Sequence, residues 1–210
     1  MVIDEIPTDW VHEVIVVDNG SSDDTYSKAQ KHGATALREV RRGYGQACLK
    51  GMEHIANSSS QPDIVVFLDG DHSDYPEQLP ELVMPIIADD MDMVIGSRAL
   101  GNKEKGSMTP QQVFGNWLAT SLIRWLYKKE YTDLGPFRAI RYKSLLKIAM
   151  KDTNYGWTVE MQLKAAKLKM NTLDIPVNYR QRIGVSKVSG TVKGTIMAGY
   201  KIILTIFRYL

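Results

Sequence analysis

Short apolar runs alternate with helix-patterned polar stretches through the first half of the chain. Residues 14–17 (VIVV), 35–40 (TALREV), 64–68 (IVVFL) and 91–98 (MDMVIGSR) each read as a strand. Between them lie TYSKAQKHG, closed by Gly33, then RRGYGQACLKGMEHIANSSS, and then PEQLPELVMPIIADD, started by Pro76. These read as helices with polar or glycine-marked ends. Strand–helix alternation argues a mostly parallel α/β sheet. Beyond Arg98 the alternation loosens. A long helix over TPQQVFGNWLATSLIRWLYKK is followed by a strand at GPFRAIR, two helices at YKSLLKIAM and WTVEMQLKAAKLK, and a last strand at TLDIPVNYR. A polar loop, QRIGVSKVSGT, leads into an amphipathic terminal helix, GTIMAGYKIILTIFRYL.

At 210 residues the chain is most simply one domain with one core. Its formal net charge of +2 is too small to imply nucleic-acid binding. A single cysteine, Cys48, excludes an internal disulfide and fits a reducing, cytoplasmic setting. Acidic residues within the first ten positions argue against a signal peptide, and Lys201 interrupts the one run that approaches a membrane span.

Most local motifs fail on inspection. Cys48 stands where a dinucleotide fingerprint beginning at Gly43 and Gly45 wants its third glycine. DGDHSDYPEQLPE starts like a calcium loop but has Asp74 at the sixth position and Pro80 at the twelfth. The four histidines do not fall at zinc-ligand spacing. What survives is Asp69-Gly70-Asp71, directly after the most apolar strand. Two carboxylates at a strand end suit Mg²⁺ or Mn²⁺, which takes its other ligands from water and phosphates; they equally suit the start of a turn.

Taken together, VIVVDNGSSDDT, RRGYGQACLKGM, VVFLDGDHSDYPEQLPELV and DMVIGSR resemble the family-2 nucleotide-sugar glycosyltransferases. The later TDLGPFRAIR, YGWTVEMQLKAAK and PVNYRQRIGVSKVSGT resemble the branch of dolichyl-phosphate mannose and glucose synthases. The resemblance implies a three-layer GT-A fold whose mostly parallel sheet has one antiparallel strand. It also implies a Mg²⁺ or Mn²⁺ cofactor and an inverting transfer from a UDP- or GDP-linked sugar to polyprenyl phosphate. Transfer to a sugar or lipid hydroxyl, or a module that binds nucleotide-sugar without turnover, are the alternatives. On this reading residues 1–98 form the nucleotide-sugar half, 99–190 the acceptor half, and 191–210 the terminal helix.

The resemblance also distributes roles. Asp71, with Asp69, holds the metal that stabilises the departing diphosphate. Asp18 and Asn19 lie beside the base or ribose, and Gly43 and Gly45 allow close backbone approach to the nucleotide. Arg98 and Arg138 face the cleft and suit a phosphate-bearing acceptor, or else form surface ion pairs. Arg182 and Lys187 belong to a loop that closes over the donor and excludes water. Glu160 is either a general base for a hydroxyl acceptor or an orienting group, because a phosphate acceptor is already ionised.

Two expectations concern the chain ends. The terminal helix suits a membrane interface, with Lys193, Lys201 and Arg208 at headgroup level, or packing on the domain or on a second subunit. Family members begin with a central strand that has no counterpart among residues 1–12. Leaving both neighbours unpaired would cost about 1–3 kcal/mol for each buried backbone group, against a whole-domain stability of about 5–15 kcal/mol. The expectation is therefore that the neighbouring strands close up, that a second chain fills the space, or that the natural product starts upstream. Nucleotide affinity should then be poor.

Overall fold

The computed structural model describes residues 2–184 and 192–210, the last helix with side chains from Met197 onward. Among the described residues six strands form two sheets. Strands β1 (Ile15–Asp18) and β2 (Thr35–Arg38) pair in parallel. The second sheet runs β3 (Ile64–Phe67), β5 (Arg138–Arg141), β4 (Met93–Ser97), β6 (Thr172–Pro176). Strand β5 is antiparallel to both its neighbours, and β4 and β6 are parallel. The expected single antiparallel strand is thus β5.

Period-two alternation places the layers. Met93 and Ile95 of β4 and Ile140 of β5 join a core with Val65 and Phe67 of β3. The intervening Val94, Ala139, Ile64 and Val66 face the opposite way, onto α3 (Leu79–Ala88). The first face is covered by α2 (Tyr44–Ala56), α4 (Pro110–Tyr127), α5 (Tyr142–Ile148), α6 (Trp157–Lys167) and α7 (Val192–Arg208). The remaining helix, α1 (Thr25–Lys31), packs on β1 and β2. Helix α4 has the strongest local start signal. Thr109 caps the amide of Gln112 while the Gln112 side chain returns to the Thr109 amide, with Pro110 at the first turn.

The neighbours of the expected central strand have not closed up. Among the described residues β1 pairs with β2 alone and β3 with β5 alone, and both strands are partly exposed along their whole length. Helix α2 holds the two sheets together, since Leu49 and Met52 share one cluster with Ile15 of β1 and with Val65 and Phe67 of β3. The N-terminal segment crosses between them. It forms two short 3₁₀ turns, Ile3–Glu5 and Thr8–Trp10. Asp4 meets His32 beyond α1 at 2.6 Å, whereas Glu5 meets His72 beyond β3 at 2.6 Å.

Candidate active site

The loop after β3 gathers three carboxylates. Asp71 Oδ1 accepts from the Ser73 amide at 3.0 Å, closing a tight turn, and its Oδ2 lies 3.1 Å from Arg182 Nη1. The backbone bends through His72, whose φ of 67° is a left-handed conformation unusual for a non-glycine residue. This turns residue 74 back beneath the first two acids. Asp74 is 1% exposed, and neither carboxylate oxygen has a hydrogen-bond partner. Burial, with Asp69 and Asp71 nearby, pushes Asp74 up to about 8. Burial and the adjacent Asp71 push Asp69 up to about 6, opposed by Arg98, the Tyr44 hydroxyl and Arg182. Three carboxyl groups this close ionise together only where a cation compensates them, and buried Asp74, raised to about 8, keeps its proton until one is supplied. Asp69 and Asp71 are therefore brought together as the sequence suggested, and Asp74 joins them. Its signal was in the same stretch, three residues past Asp71.

Arg98 stands at the end of β4 on the same rim, but its guanidinium is already engaged. Its Nε and Nη2 meet the two oxygens of Asp133 at 2.8 and 2.6 Å, and its amide reaches Asp133 Oδ2 at 2.7 Å. The pair is buried, and each partner favours the charged form of the other. Arg98 thus forms an internal ion pair rather than a surface one, with the face of Tyr179 at 5.1 Å. Asp133 was missed in the sequence, although it stands five residues before Arg138 in TDLGPFRAIR.

Other expected contacts turn inward. Arg138 is fully buried and donates to the carbonyls of Gly135 and Thr158, the latter at 3.0 Å. Its expected place facing the cleft is corrected: the guanidinium braces the turn before β5 against α6. Asn19 is a latch. Its amide donates to the carbonyls of Glu39 and Arg41 at 3.0 and 2.7 Å and accepts from the Gly43 amide at 2.7 Å. Asp18 caps the amide of Ser21 at 2.8 Å. Gly43 (φ 147°) and Gly45 are needed for another close approach. A Cβ on either would collide with the carbonyl of Thr153 or Asp152, the loop that accepts from the Gln46 amide at 2.9 Å.

Glu160 is fully buried on α6 and its oxygens are committed. They accept from the Lys151 and Asp152 amides and from the Tyr209 hydroxyl at 2.6 Å, and Lys164 Nζ lies 2.7 Å away. Burial would raise its pKa, but Lys164, Tyr209 and the amides outweigh it and hold the carboxyl below its usual range. A group so held is a poor proton acceptor. Lys187 lies outside the described residues. Arg180, beside Arg182, meets Glu5, donates to the His72 carbonyl at 2.7 Å and stacks over Tyr75 at 4.5 Å.

Among the described residues no group of three or more His, Cys, Asp or Glu side chains is placed to hold a metal ion by itself. The donor set still fits a hard divalent cation. Such an ion accepts two or three carboxylates and fills its shell with water and phosphate oxygens, and the partnerless oxygens of Asp74 mark where charge compensation is lacking.

Comparisons with known proteins agree with this architecture. The profile of "Glycosyl transferase family 2" matches residues 4–149. An uncharacterized glycosyltransferase of Mycobacterium tuberculosis is 31% identical over 195 residues, covering 89% of this chain and 83% of the relative. An undecaprenyl-phosphate mannosyltransferase of Micrococcus luteus is 28% identical over 193 residues, covering 87% of this chain and 78% of the relative. Among solved structures, glucosyl-3-phosphoglycerate synthase of Mycobacterium tuberculosis, in complex with Mn²⁺, UDP and phosphoglyceric acid, superposes with a TM-score of 0.76. The two are 21% identical, and the match covers 99% of this chain and 72% of that one. This likeness bears out the expected GT-A fold. With the profile spanning most of its length, this chain belongs to glycosyl transferase family 2.

Proposed function

We propose that the protein transfers a sugar, with inversion, from a nucleoside-diphosphate sugar to polyprenyl phosphate, using Mg²⁺ or Mn²⁺. The carrying observation is the cluster of Asp69, Asp71 and Asp74 opposite Arg182 and the Arg98–Asp133 pair. A bound divalent ion would supply Lewis-acid stabilisation of the departing diphosphate. Asp69 and Asp71 would hold it, and Asp74 would add a third negative charge beneath them. Arg182 meets Asp71 and so is placed to exchange a carboxylate for a phosphate oxygen.

Two further observations support this donor and acceptor. A solved structural neighbour carries Mn²⁺ and UDP, and one relative is named for undecaprenyl phosphate. The engaged state of Glu160 also favours an acceptor that arrives ionised, because a phosphate needs no strong base. Glu160 instead orients the 151–154 loop against α2, and through it the glycine turn at 43–45.

A hydroxyl acceptor is the second reading, favoured by one observation: Asp74 is a buried carboxylate with no hydrogen-bond donor and a raised pKa. Product chemistry separates the two. Incubation with UDP- or GDP-sugars, Mn²⁺ and short-chain polyprenyl phosphate should give an acid-labile sugar phosphodiester. An acid-stable glycoside would establish the hydroxyl reading instead.

A further inference from the structure

The acidic turn after β3 is held from two sides, by segments far apart in the sequence. On one side, residues 179–183 run beside it. The Arg180 amide donates to the Ser73 carbonyl and the Ile183 amide to the Asp71 carbonyl, both at 2.9 Å. Asp74 forms an antiparallel bridge with Tyr179. On the other side stands Glu5, in the 3₁₀ turn Ile3–Glu5. Its Oε1 lies 2.6 Å from His72 Nε2, and its Oε2 accepts from Arg180 Nη2. Arg180 in turn donates from Nε to the His72 carbonyl at 2.7 Å. Glu5, His72 and Arg180 thus close a ring around the middle of the turn.

The turn needs such support. The left-handed backbone of His72, with φ of 67°, is unfavourable for a residue with a β-carbon and persists only where neighbours impose it. Asp69, Asp71 and Asp74 repel one another when ionised. The ring grips His72 at both its side chain and its carbonyl, and so acts on the residue that carries the strain.

Glu5 is presented from an anchored segment. Ile6, the next residue, packs into the apolar cluster beneath β3 with Val66 and Leu68. Arg180 and then His72 hold the Glu5 carboxyl below its usual range, so it meets them ionised. All three side chains of the ring are partly exposed, so loosening it leaves both apolar clusters in place.

We propose that Glu5 is a positioning residue: through His72 and Arg180 it fixes the turn so that Asp69 and Asp71 present their oxygens to a divalent cation without rearrangement. Because Arg180 stands two positions before Arg182, the same carboxylate also sets Arg182 against Asp71. The inference rests on the metal reading of this site given above, and its test needs no turnover.

Wild type is compared with Glu5→Ala, Glu5→Gln and Glu5→Asp by two readouts. One is hydrogen exchange of the Arg180 and Ile183 amides in metal-free protein. The other is Mn²⁺ affinity, from electron paramagnetic resonance of the free ion. Glu5→Ala should exchange both amides at least about tenfold faster while melting close to the wild-type temperature. It should bind Mn²⁺ about tenfold more weakly, the usual scale for losing a partner behind a metal ligand. Glu5→Gln keeps the reach and loses the charge, and should stay within about threefold of wild type, because partly exposed charge contributes little. Glu5→Asp keeps the charge but is one methylene too short to span both partners, and should approach Glu5→Ala. If Glu5→Ala fails to fold, the Gln and Asp variants still decide. The opposite ranking, with Glu5→Asp like wild type and Glu5→Gln weakened, would reduce the effect to charge and overturn the positioning role. Unchanged amide exchange in Glu5→Ala, or faster exchange with unchanged Mn²⁺ affinity, would overturn it as well. Wild-type protein that binds no Mn²⁺ would refute the metal reading and this inference with it, a failure told apart because it precedes any substitution.

Discussion

Arg182 Nη1 lies 3.1 Å from Asp71 Oδ2, so a guanidinium already occupies the place where the acidic cluster asks for a cation. Both side chains are partly exposed, so the contact is solvent-screened and worth at most about 1 kcal/mol. It can be given up readily when a divalent ion or a phosphate arrives. Arg182→Gln should therefore tighten binding of bare Mn²⁺ by about three- to tenfold, because a competing cation has been removed. Electron paramagnetic resonance of free Mn²⁺ measures this directly. Weaker Mn²⁺ binding in the variant would show that Arg182 organises the acids rather than competing for them.

The raised acids set a pH dependence with a definite sign. Asp69 and Asp74 titrate at about 6 and about 8 in the folded chain, above their ordinary range. Between those ordinary values and the raised ones, the folded state holds protons that the unfolded state has lost. Metal-free stability should accordingly fall as pH rises from 5 to about 8 and then level off. Saturating Mn²⁺ with UDP or GDP should reverse the trend, because the ion selects ionised carboxylates. Thermal melts at several pH values, with and without metal and nucleotide, test both signs.

Glu160→Gln should destabilise the fold by about 2–4 kcal/mol, since it removes a buried charge that Lys164, Tyr209 and two amides are arranged around. Nucleotide affinity of the folded fraction should stay near wild type. Denaturant unfolding and titration calorimetry make the comparison. A variant as stable as wild type that had lost only transfer activity would restore Glu160 as a base.

Gly45→Ala gives a sign test for packing. In an exposed helix this change stabilises by about 1 kcal/mol. Here the added methyl meets the Asp152 carbonyl, so the variant should be less stable by about 1–3 kcal/mol. A stabilised variant would mean that the 151–154 loop does not sit on α2 as described.

Much of this was legible in the chain. Every strand and α-helix after residue 12 overlaps a segment that the apolar periodicity picked out, because β4 and the core faces of α3 and α6 are buried strongly enough for pattern to dominate, although Pro76–Gln78, read as the start of α3, is a 3₁₀ turn. Asp69 and Asp71 were legible for a related reason, as carboxylates that directly follow a buried strand. Arg138 and Asn19 were harder. Each satisfies backbone carbonyls distant in sequence, Thr158 for one and Glu39 and Arg41 for the other, and nothing local reports such partners. Asp133 was overlooked for the same reason, since its partner Arg98 is 35 residues away. The split between β1 and β3 was foreseen as a cost but not in form. Helix α2 and the N-terminal crossing hold the two sheets in place without a bridging strand.

The central claim is that the Asp69–Asp71 turn binds a nucleoside diphosphate through a divalent metal. Isothermal titration with UDP and with GDP, each with and without Mn²⁺, tests it on the wild-type chain and on Asp71→Ala. The account predicts binding of one nucleotide that needs Mn²⁺ and is lost in Asp71→Ala, while the variant still melts cooperatively. Metal-dependent affinity that is unchanged in Asp71→Ala would contradict it.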